Sequence, residues 1–297
     1  MGRGAARRRP GTRRLVQLYA ALLYNAHLKG FVQGRIYTGP LKAACVPGLN
    51  CYSCPGAVAS CPLGALQNAL AASSHGAAFY ALGILLLLGL GLGRTICGWL
   101  CPFGLLQELL HKLPGKKLQK SPLTRRLSGV KYGLLAVLVL GAPLIMGLTG
   151  TGVPAFCKLV CPAGTLEGAL PLLLHPANGS LRGLLGGLFG WKLGLMLGIL
   201  LLCVFAHRAF CRFLCPLGAL YGLLGRMALV GVRVEDSRCS GCGACLRVCP
   251  MDIRRVGDRE CVHCGKCISA CPDQAISLRA GKIQLLGPQL PERRRVP

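Results

Sequence analysis

The stretch that decides the fold of the C-terminal part is residues 239–272, CSGCGACLRVCPMDIRRVGDRECVHCGKCISACP. The pattern C-x2-C-x2-C-x3-C-P occurs in it twice, with the two copies 22 residues apart. Eight cysteines in this tandem spacing, each group closed by a proline, favour two iron–sulfur clusters. The alternative is a pair of all-cysteine zinc sites, although zinc motifs usually join two C-x2-C units across a longer gap.

The tandem run resembles bacterial two-cluster ferredoxins, in which the fourth cysteine of each run ligates the other cluster. This resemblance implies two [4Fe–4S] clusters with crossed ligand sets. The first set is Cys239, Cys242, Cys245 and Cys271, and the second is Cys261, Cys264, Cys267 and Cys249. We expect a small α+β two-cluster ferredoxin domain over residues 230–282, with strands near 232–234 and 275–278, followed by a basic tail over 283–297.

Two kinds of side chain near these cysteines have expected roles. A group of basic residues is expected to raise the cluster potentials or to dock an acidic redox partner; its members are Arg247, Arg254, Arg255, Arg259 and Lys266. The alternative is that these charges only keep the domain in the cytoplasm. His263 lies inside a cysteine loop, where we expect a solvent-exposed residue; the alternative is that it tunes the cluster by hydrogen bonding.

The rest of the chain is too apolar for a soluble domain. Of 297 residues, 53% are hydrophobic and 15% are charged, and the mean hydropathy is +0.52. Apolar runs predict membrane-spanning helices at about 77–93, 132–149 and 190–207, and a marginal fourth at about 15–33. Nucleic acid is not an expected partner, because the basic residues flank apolar runs and the few aromatic residues form no stacking module.

The distribution of basic residues predicts the orientation. Six of the first fourteen residues are arginines, eight basic residues lie in 94–131 and fifteen lie in 207–297, against two in 34–76 and three in 150–192. The positive-inside rule therefore places both termini in the cytoplasm, which requires an even number of spans. We expect an α-helical protein of the cell (inner) membrane, with a basic N-terminus over 1–14 and about four transmembrane helices in a membrane domain over 15–226. The alternative is three spans with an interfacial first helix.

The membrane domain contains an internal repeat of the form C-P-x-G-x-L, which points to a duplicated helix pair. The repeats begin at Cys61, Cys101, Cys161 and Cys215, and three of them have a cysteine four residues earlier, at Cys97, Cys157 and Cys211. Residues i and i+4 share one helical face, and proline suits the first turn of the next helix. Two such motifs would supply the four thiolates that a cluster needs.

These cysteines predict one or two further iron–sulfur clusters at the membrane faces. The expected inner site is Cys97, Cys101, Cys211 and Cys215. The expected outer site draws on six residues, Cys45, Cys51, Cys54, Cys61, Cys157 and Cys161. The alternatives are packed free thiols or zinc for the inner group, and disulfides in an oxidising compartment for the outer group. Cys203, alone in an apolar run, is expected to be a packing residue.

Taken together, these motifs resemble the membrane-bound polyferredoxins of the NapH and NosR type. The resemblance implies that electrons pass between membrane quinol, or a cytoplasmic donor, and redox partner proteins that serve a respiratory reductase. Two departures are the missing flavin-binding domain of NosR-type proteins and the additional outer cysteines. The alternative function is an assembly factor that supplies reducing equivalents to a metal centre, with a transporter less favoured. Polar residues near the first apolar run, His27, Lys29 and Arg35, are weak candidates for quinone contact.

Overall fold

The computed structural model describes residues 11–72, 75–183 and 185–287, which form a mainly helical protein with one small sheet. The α-helices are Gly11–Tyr24, Lys29–Gln33, Pro62–Ala71, His75–Gly91, Thr95–Trp99, Pro102–Leu110, Pro122–Leu127, Val130–Leu134, Ala142–Leu148, Ala155–Leu159, Leu170–Leu174, Gly179–Arg182, Gly187–Phe205, Ala209–Phe213, Pro216–Leu224, Ala244–Val248 and Lys266–Ala270. Two segments, Leu135–Gly141 and Gly164–Ala169, are π-helical. Short 3-10 turns occur at Pro40–Ala43, Pro176–Asn178 and Asp236–Arg238.

Two helices among the described residues are long and apolar enough to cross a bilayer. They are Pro122–Leu148, which contains the π-helical segment Leu135–Gly141, and Gly187–Phe205. Two shorter apolar helices are Gly76–Gly91 and Gly164–Leu174. The apolar runs expected near 77–93, 132–149 and 190–207 are therefore helical, whereas a total of four spans stays a prediction.

The continuous helix predicted for about 15–33 is wrong. The helix covers only Gly11–Tyr24, 14 residues or about 21 Å, which is shorter than a hydrocarbon core of about 30 Å. It ends where the Asn25 amide bonds the Ala21 carbonyl oxygen and Asn50 Oδ1, both at 3.0 Å. One face of this N-terminal helix is exposed and apolar, but Gln17 on the other face is fully buried. A hydropathy pattern counts apolar residues and does not show that the polar ones have partners inside the protein.

The four C-P-x-G-x-L repeats each begin a helix, which we call the CP helices: Pro62–Ala71, Pro102–Leu110, Gly164–Leu174 with its first turn at Pro162, and Pro216–Leu224. Proline occupies the first turn, where its missing N–H costs no hydrogen bond. Three short helices, Thr95–Trp99, Ala155–Leu159 and Ala209–Phe213, precede the later three. Each pair of cysteines four residues apart is therefore split between a short helix and the cap of the next CP helix.

The C-terminal domain is built on a three-stranded antiparallel sheet. Strand β1 is Val230–Val234, β2 is Ile276–Ala280 and β3 is Ile283–Leu286, in the order β1-β2-β3. The register pairs Val232 with Leu278, and both side chains are buried. The expected strands near 232–234 and 275–278 are present. The domain extends past the predicted boundary at 282, because β3 pairs with β2 in the segment that we assigned to a tail; residues 288–297 lie outside the described residues.

Buried ion pairs join the C-terminal domain to the helices. Glu260 accepts hydrogen bonds from Arg94 Nη1 at 3.2 Å, from Tyr132 at 3.0 Å and from Lys131. Asp252 accepts from Arg212 at 2.7 Å and from Arg125 and Thr124 at 2.9 Å. Buried charges that are paired and hydrogen-bonded are strongly destabilising to break, so these contacts hold the domain in one position.

Candidate iron–sulfur sites

The first C-terminal cysteine set lines one cavity. A cavity of about 610 Å³ is bordered by Cys239, Cys242, Cys245 and Cys271, together with the basic residues Arg254 and Arg255. The structure therefore brings the fourth cysteine of the second run beside the first three of the first run. Gly243 has a φ of 70°, a left-handed conformation that glycine adopts without strain in the tight turn before helix Ala244–Val248.

The second set, Cys261, Cys264, Cys267 and Cys249, also comes together. Burial raises the pKa of Cys267 to about 12, and the neighbouring thiolates of Cys261, Cys264 and Cys249 add to the effect. Burial likewise raises the pKa of Cys249 to about 11, with Cys264 and Cys261 as its cysteine neighbours. Helix Ala244–Val248, which precedes Cys249, packs against helix Lys266–Ala270, which carries Cys267, as crossed ligation would need.

His263 is buried, so the expectation of a solvent-exposed residue is wrong. Its ring Nδ1 lies 2.9 Å from Thr95 Oγ1, and its carbonyl oxygen accepts the indole N–H of Trp99 at 3.0 Å. A methyl group added at Gly98 would lie only 2.1 Å from the Val262 carbonyl oxygen. The cysteine loop 261–264 therefore packs directly on the short helix that carries Cys97.

The inner cysteines, Cys97, Cys101, Cys211 and Cys215, line one narrow cavity, which we call the inner cage. All four are buried. Cys101 and Cys215 each cap a CP helix in extended conformation, and the Gly218 backbone N–H donates to Cys215 Sγ at 3.4 Å. Unpaired N–H groups at a helix N-terminus favour negative charge, so this position suits a thiolate that binds iron.

Two buried arginines surround the inner cage. Arg208 donates to the Cys97 carbonyl oxygen at 2.5 Å, and Arg94 donates to the Gly218 carbonyl oxygen at 2.9 Å. Glu108 balances Arg208 at 2.8 Å and also pairs with Arg13 of the N-terminal helix. Burial opposes ionisation of Glu108, but Arg208 and Arg13 outweigh it and lower its pKa to about 2. These positive charges, partly offset by Glu108 and Glu260, favour thiolates over thiols in the cage.

A polar side chain recurs in each repeat and was missed by the sequence reasoning; in three of the four repeats it bonds a cysteine and acts as a brace. Six positions after the repeat cysteine lie Gln67, Gln107, Glu167 and Tyr221. Gln107 donates to Cys211 Sγ at 3.0 Å and accepts the Cys211 backbone N–H at 3.3 Å. Gln67 donates to Cys157 Sγ at 3.3 Å and accepts the Phe156 N–H at 3.0 Å. An alignment of the four repeats shows a polar residue at this position in every repeat, although most neighbouring positions are apolar. That pattern would have predicted the braces from the sequence.

The outer cysteines separate into two groups. Cys51, Cys61, Cys157 and Cys161 line one cavity. Cys54 instead donates from its thiol to Asn25 Oδ1 at 3.5 Å, and Cys45 lies in a backbone bridge opposite Ser60. Cys203 is fully buried beside Gln107, as a packing residue would be.

Three further observations bear on ligands. All nineteen cysteines lie within the described residues, and each is free rather than in a disulfide. In the described part of the chain, no three His, Cys, Asp or Glu side chains are grouped closely enough to hold a single metal ion. Of the quinone candidates, His27 packs its ring on Tyr37 and contacts the Pro55 carbonyl oxygen, and a quinone site stays a prediction.

Two families of known domains match the chain. The 4Fe-4S binding domain matches residues 73–121, 133–174 and 188–234, and the 4Fe-4S dicluster domain matches residues 231–272. The first family therefore covers the three cysteine pairs spaced four residues apart, and the second covers the tandem run. No solved structure matches the chain.

Named relatives share a similar degree of identity. An uncharacterized protein of Methanocaldococcus jannaschii is 30% identical over 198 residues, 65% of this chain and 74% of the relative. The ferredoxin-type protein NapH of Escherichia coli is 30% identical, over 64% of this chain and 59% of NapH. The methylamine utilization ferredoxin-type protein MauN of Paracoccus denitrificans is 32% identical, over 53% of this chain and 48% of MauN. The chain thus spans about half the length of the ferredoxin-type relatives that it matches.

Proposed function

The chain belongs to the NapH-type family of ferredoxin-type electron-transport proteins, and from that premise we propose that it is a membrane-anchored conductor of electrons between the quinol pool and a soluble redox partner. We assign the crossed sets of the C-terminal domain to two [4Fe–4S] clusters and the inner cage to a third. Each cluster, when bound, accepts and releases one electron at a time. The residues of this chain hold the clusters close together, exclude water and supply the surrounding charge.

The observation that carries this proposal is the seating of the C-terminal domain on the inner cage. The loop 261–264 bears two cysteines of the second set and lies against the Cys97 helix with no space for a methyl group at Gly98. Hydrogen bonds between Thr95 and the His263 ring, and from the Trp99 indole to the His263 carbonyl oxygen, hold that contact. A short, fixed separation favours electron transfer, because tunnelling falls steeply with distance.

The exposed end of the path suits a protein partner. Cys239 and Cys242 are exposed, whereas the cysteines of the inner cage are all buried. Arg247, whose guanidinium donates to the Cys242 carbonyl oxygen at 3.0 Å, lies at the surface. Exposed arginines beside the first cluster set would attract an acidic partner and orient it towards those cysteines.

The opposite end of the path suits a membrane. The helices Pro122–Leu148 and Gly187–Phe205 expose large apolar side chains along their length, including Ile145 and Leu201. The N-terminal helix adds Leu15, Leu18 and Leu22 on its outward face. Exposed apolar surface of this extent is unusual for a soluble monomer and favours contact with lipid, in which quinol diffuses. We further propose a multi-pass topology in the cell membrane with both termini cytoplasmic.

Reconstituted protein tests this function. The anaerobically purified protein, reduced with dithionite, should show the EPR signals of reduced [4Fe–4S] clusters, and quinone in the liposome membrane should reoxidise them. Cys97→Ser should keep the signals of the C-terminal clusters but lose rapid reoxidation by quinone. Cys54→Ser changes a cysteine that borders none of the cysteine-lined cavities; it is the matched control and should behave as wild type. Colourless protein that contains zinc would overturn the proposal, as would equal reoxidation rates for Cys97→Ser and wild type.

A further inference from the structure

The outer cysteines form a second cage with the same design as the inner one. A cavity of about 290 Å³ is bordered by Cys51, Cys61, Cys157 and Cys161, which we call the outer cage. Cys157 is fixed at the cavity by two neighbours, since Gln67 donates to its Sγ at 3.3 Å and Lys192 donates to its carbonyl oxygen at 3.2 Å. The remaining outer cysteines, Cys45 and Cys54, do not border the cavity.

The braces of the two cages correspond. Gln67 bonds Cys157 in the outer cage as Gln107 bonds Cys211 in the inner cage, from the same position of their repeats. Glu167, from the third repeat, accepts the Cys51 backbone N–H at 2.8 Å. The outer cage is therefore assembled across two repeats, the first and the third, as the inner cage is assembled across the second and the fourth.

The repeat glycines leave the outer cavity open. A methyl group added at Gly64 would lie 3.8 Å from Cys157 Sγ, and one added at Gly164 would lie 3.9 Å from Cys51 Sγ. Glycine at these two positions thus keeps the walls beside the sulfurs free of side-chain bulk.

Two positive groups at the outer cage favour an anionic cluster, whereas the buried Glu167 carboxyl opposes one. Cys61 is the N-cap of helix Pro62–Ala71, so the positive end of that helix dipole lies beside this cysteine. Lys192, which borders the cavity, donates to the Cys157 carbonyl oxygen at 3.2 Å. An apolar packing role for four cysteines would need neither this cation nor the cavity.

The two cages are close to each other. Leu49 borders both cavities. Gln17 of the N-terminal helix bonds the Cys101 carbonyl oxygen, and Asn25, just past the end of that helix, bonds Asn50, the neighbour of Cys51. Cavities that share one leucine as a wall lie far closer together than the two faces of a hydrocarbon core of about 30 Å. The expectation that the two cysteine groups lie at opposite membrane faces is therefore wrong.

We propose that Cys51, Cys61, Cys157 and Cys161 hold a fourth [4Fe–4S] cluster, which extends the path beyond the inner cage. This proposal rests on the proposed function for its donor. A cluster held by these four cysteines would accept one electron at a time from a cluster in the inner cage, with no bond made or broken and no proton moved. The chain would then hold four clusters, with Gln67, Glu167 and Lys192 fixing the cysteines of the fourth.

Iron content tests the fourth site. Wild-type protein isolated anaerobically should hold about sixteen irons and sixteen acid-labile sulfides per chain, four for each cluster. Cys157→Ser should hold about twelve, and the control Cys54→Ser, changed in the same outer segment, should hold about sixteen. Equal iron in Cys157→Ser and wild type would overturn the proposal, as would zinc in the outer cage.

A second measurement uses the wild-type protein alone, so it tests the fourth site even if Cys157→Ser does not fold. Reductive titration of wild-type protein should take up four electrons per chain, and an uptake of three or fewer would overturn the fourth site. Failure of the proposed function has a different signature. If Cys97→Ser retains all its iron while Cys157→Ser loses about four, the inner cage holds no cluster and the outer one does.

Discussion

Replacing Gly98 with alanine tests how closely the C-terminal domain packs on the inner cage. The added methyl group would lie 2.1 Å from the Val262 carbonyl oxygen, and contacts of this kind are rarely below 3.0 Å. The loop 261–264 must therefore retreat by about 1 Å. Since Gly98 lies in a helix of only five residues between two cysteines, the helix has little freedom to move instead.

The expected cost follows from three contributions. Forcing a side chain into a packed interface costs typically about 1–3 kcal/mol. Weakening the bonds from Thr95 and Trp99 to His263 adds roughly 1 kcal/mol for each bond that is lost. Alanine gains up to about 1 kcal/mol over glycine in a helix. We expect Gly98→Ala to lower the free energy of unfolding of the C-terminal domain by about 2–3 kcal/mol.

The assay follows the loss of visible cluster absorption in guanidinium, under anaerobic conditions and in detergent. Gly194→Ala is the matched control, because a methyl group there meets nothing within 4 Å. It should leave the unfolding free energy unchanged or raise it slightly. Gly98→Ala should also slow electron transfer from the C-terminal clusters to membrane quinone. Stability and transfer rate equal to those of Gly194→Ala would refute the close packing.

Three further predictions concern charge and ligands. Glu108→Gln leaves Arg208 buried without its partner and should lower the free energy of unfolding by about 3–5 kcal/mol. The control Glu235→Gln removes a partly exposed pair with Arg279 and should lower it by about 1 kcal/mol or less. Equal losses in the two variants would contradict the buried pairing. The pKa of Glu108 is lowered to about 2, so its contribution to stability is complete above about pH 4.5 and is lost as the pH falls towards 2. The Glu108→Gln variant should therefore lack this part of the acid-unfolding transition. Cys242→Ala should lose about four irons and destabilise the C-terminal domain, and an unchanged iron content would contradict its role as a ligand.

Local spacing anticipated the match to 4Fe-4S binding families, whereas the ligation itself stays a prediction. The run from Cys239 to Pro272 places its ligands through tight loops of two or three residues, so the sequence itself specifies which sulfurs are near. The proline after each repeat cysteine marks the start of a CP helix for the same local reason. Strands β1 and β2 were also visible, because their alternating or continuous apolar residues lie beside the cysteine runs.

Features that depend on distant partners were not visible. His263 is buried because Thr95 and Trp99 lie against it, and neither is near it in the chain. The first apolar run breaks at Asn25 because its amide finds Asn50 there. Which of the six outer cysteines border one cavity depends on how the third repeat packs against the first. Cys54 does not border it, and its thiol bonds Asn25 instead.

The most direct test of the central claim is the electronic coupling between the C-terminal domain and the inner cage. EPR spectra of the reduced wild-type protein should show spin coupling among neighbouring clusters, and Cys97→Ser should remove one cluster and simplify the spectrum while both C-terminal clusters remain. An unchanged spectrum and an unchanged iron content in Cys97→Ser would contradict the account, because the inner cage would then be only a group of packed thiols.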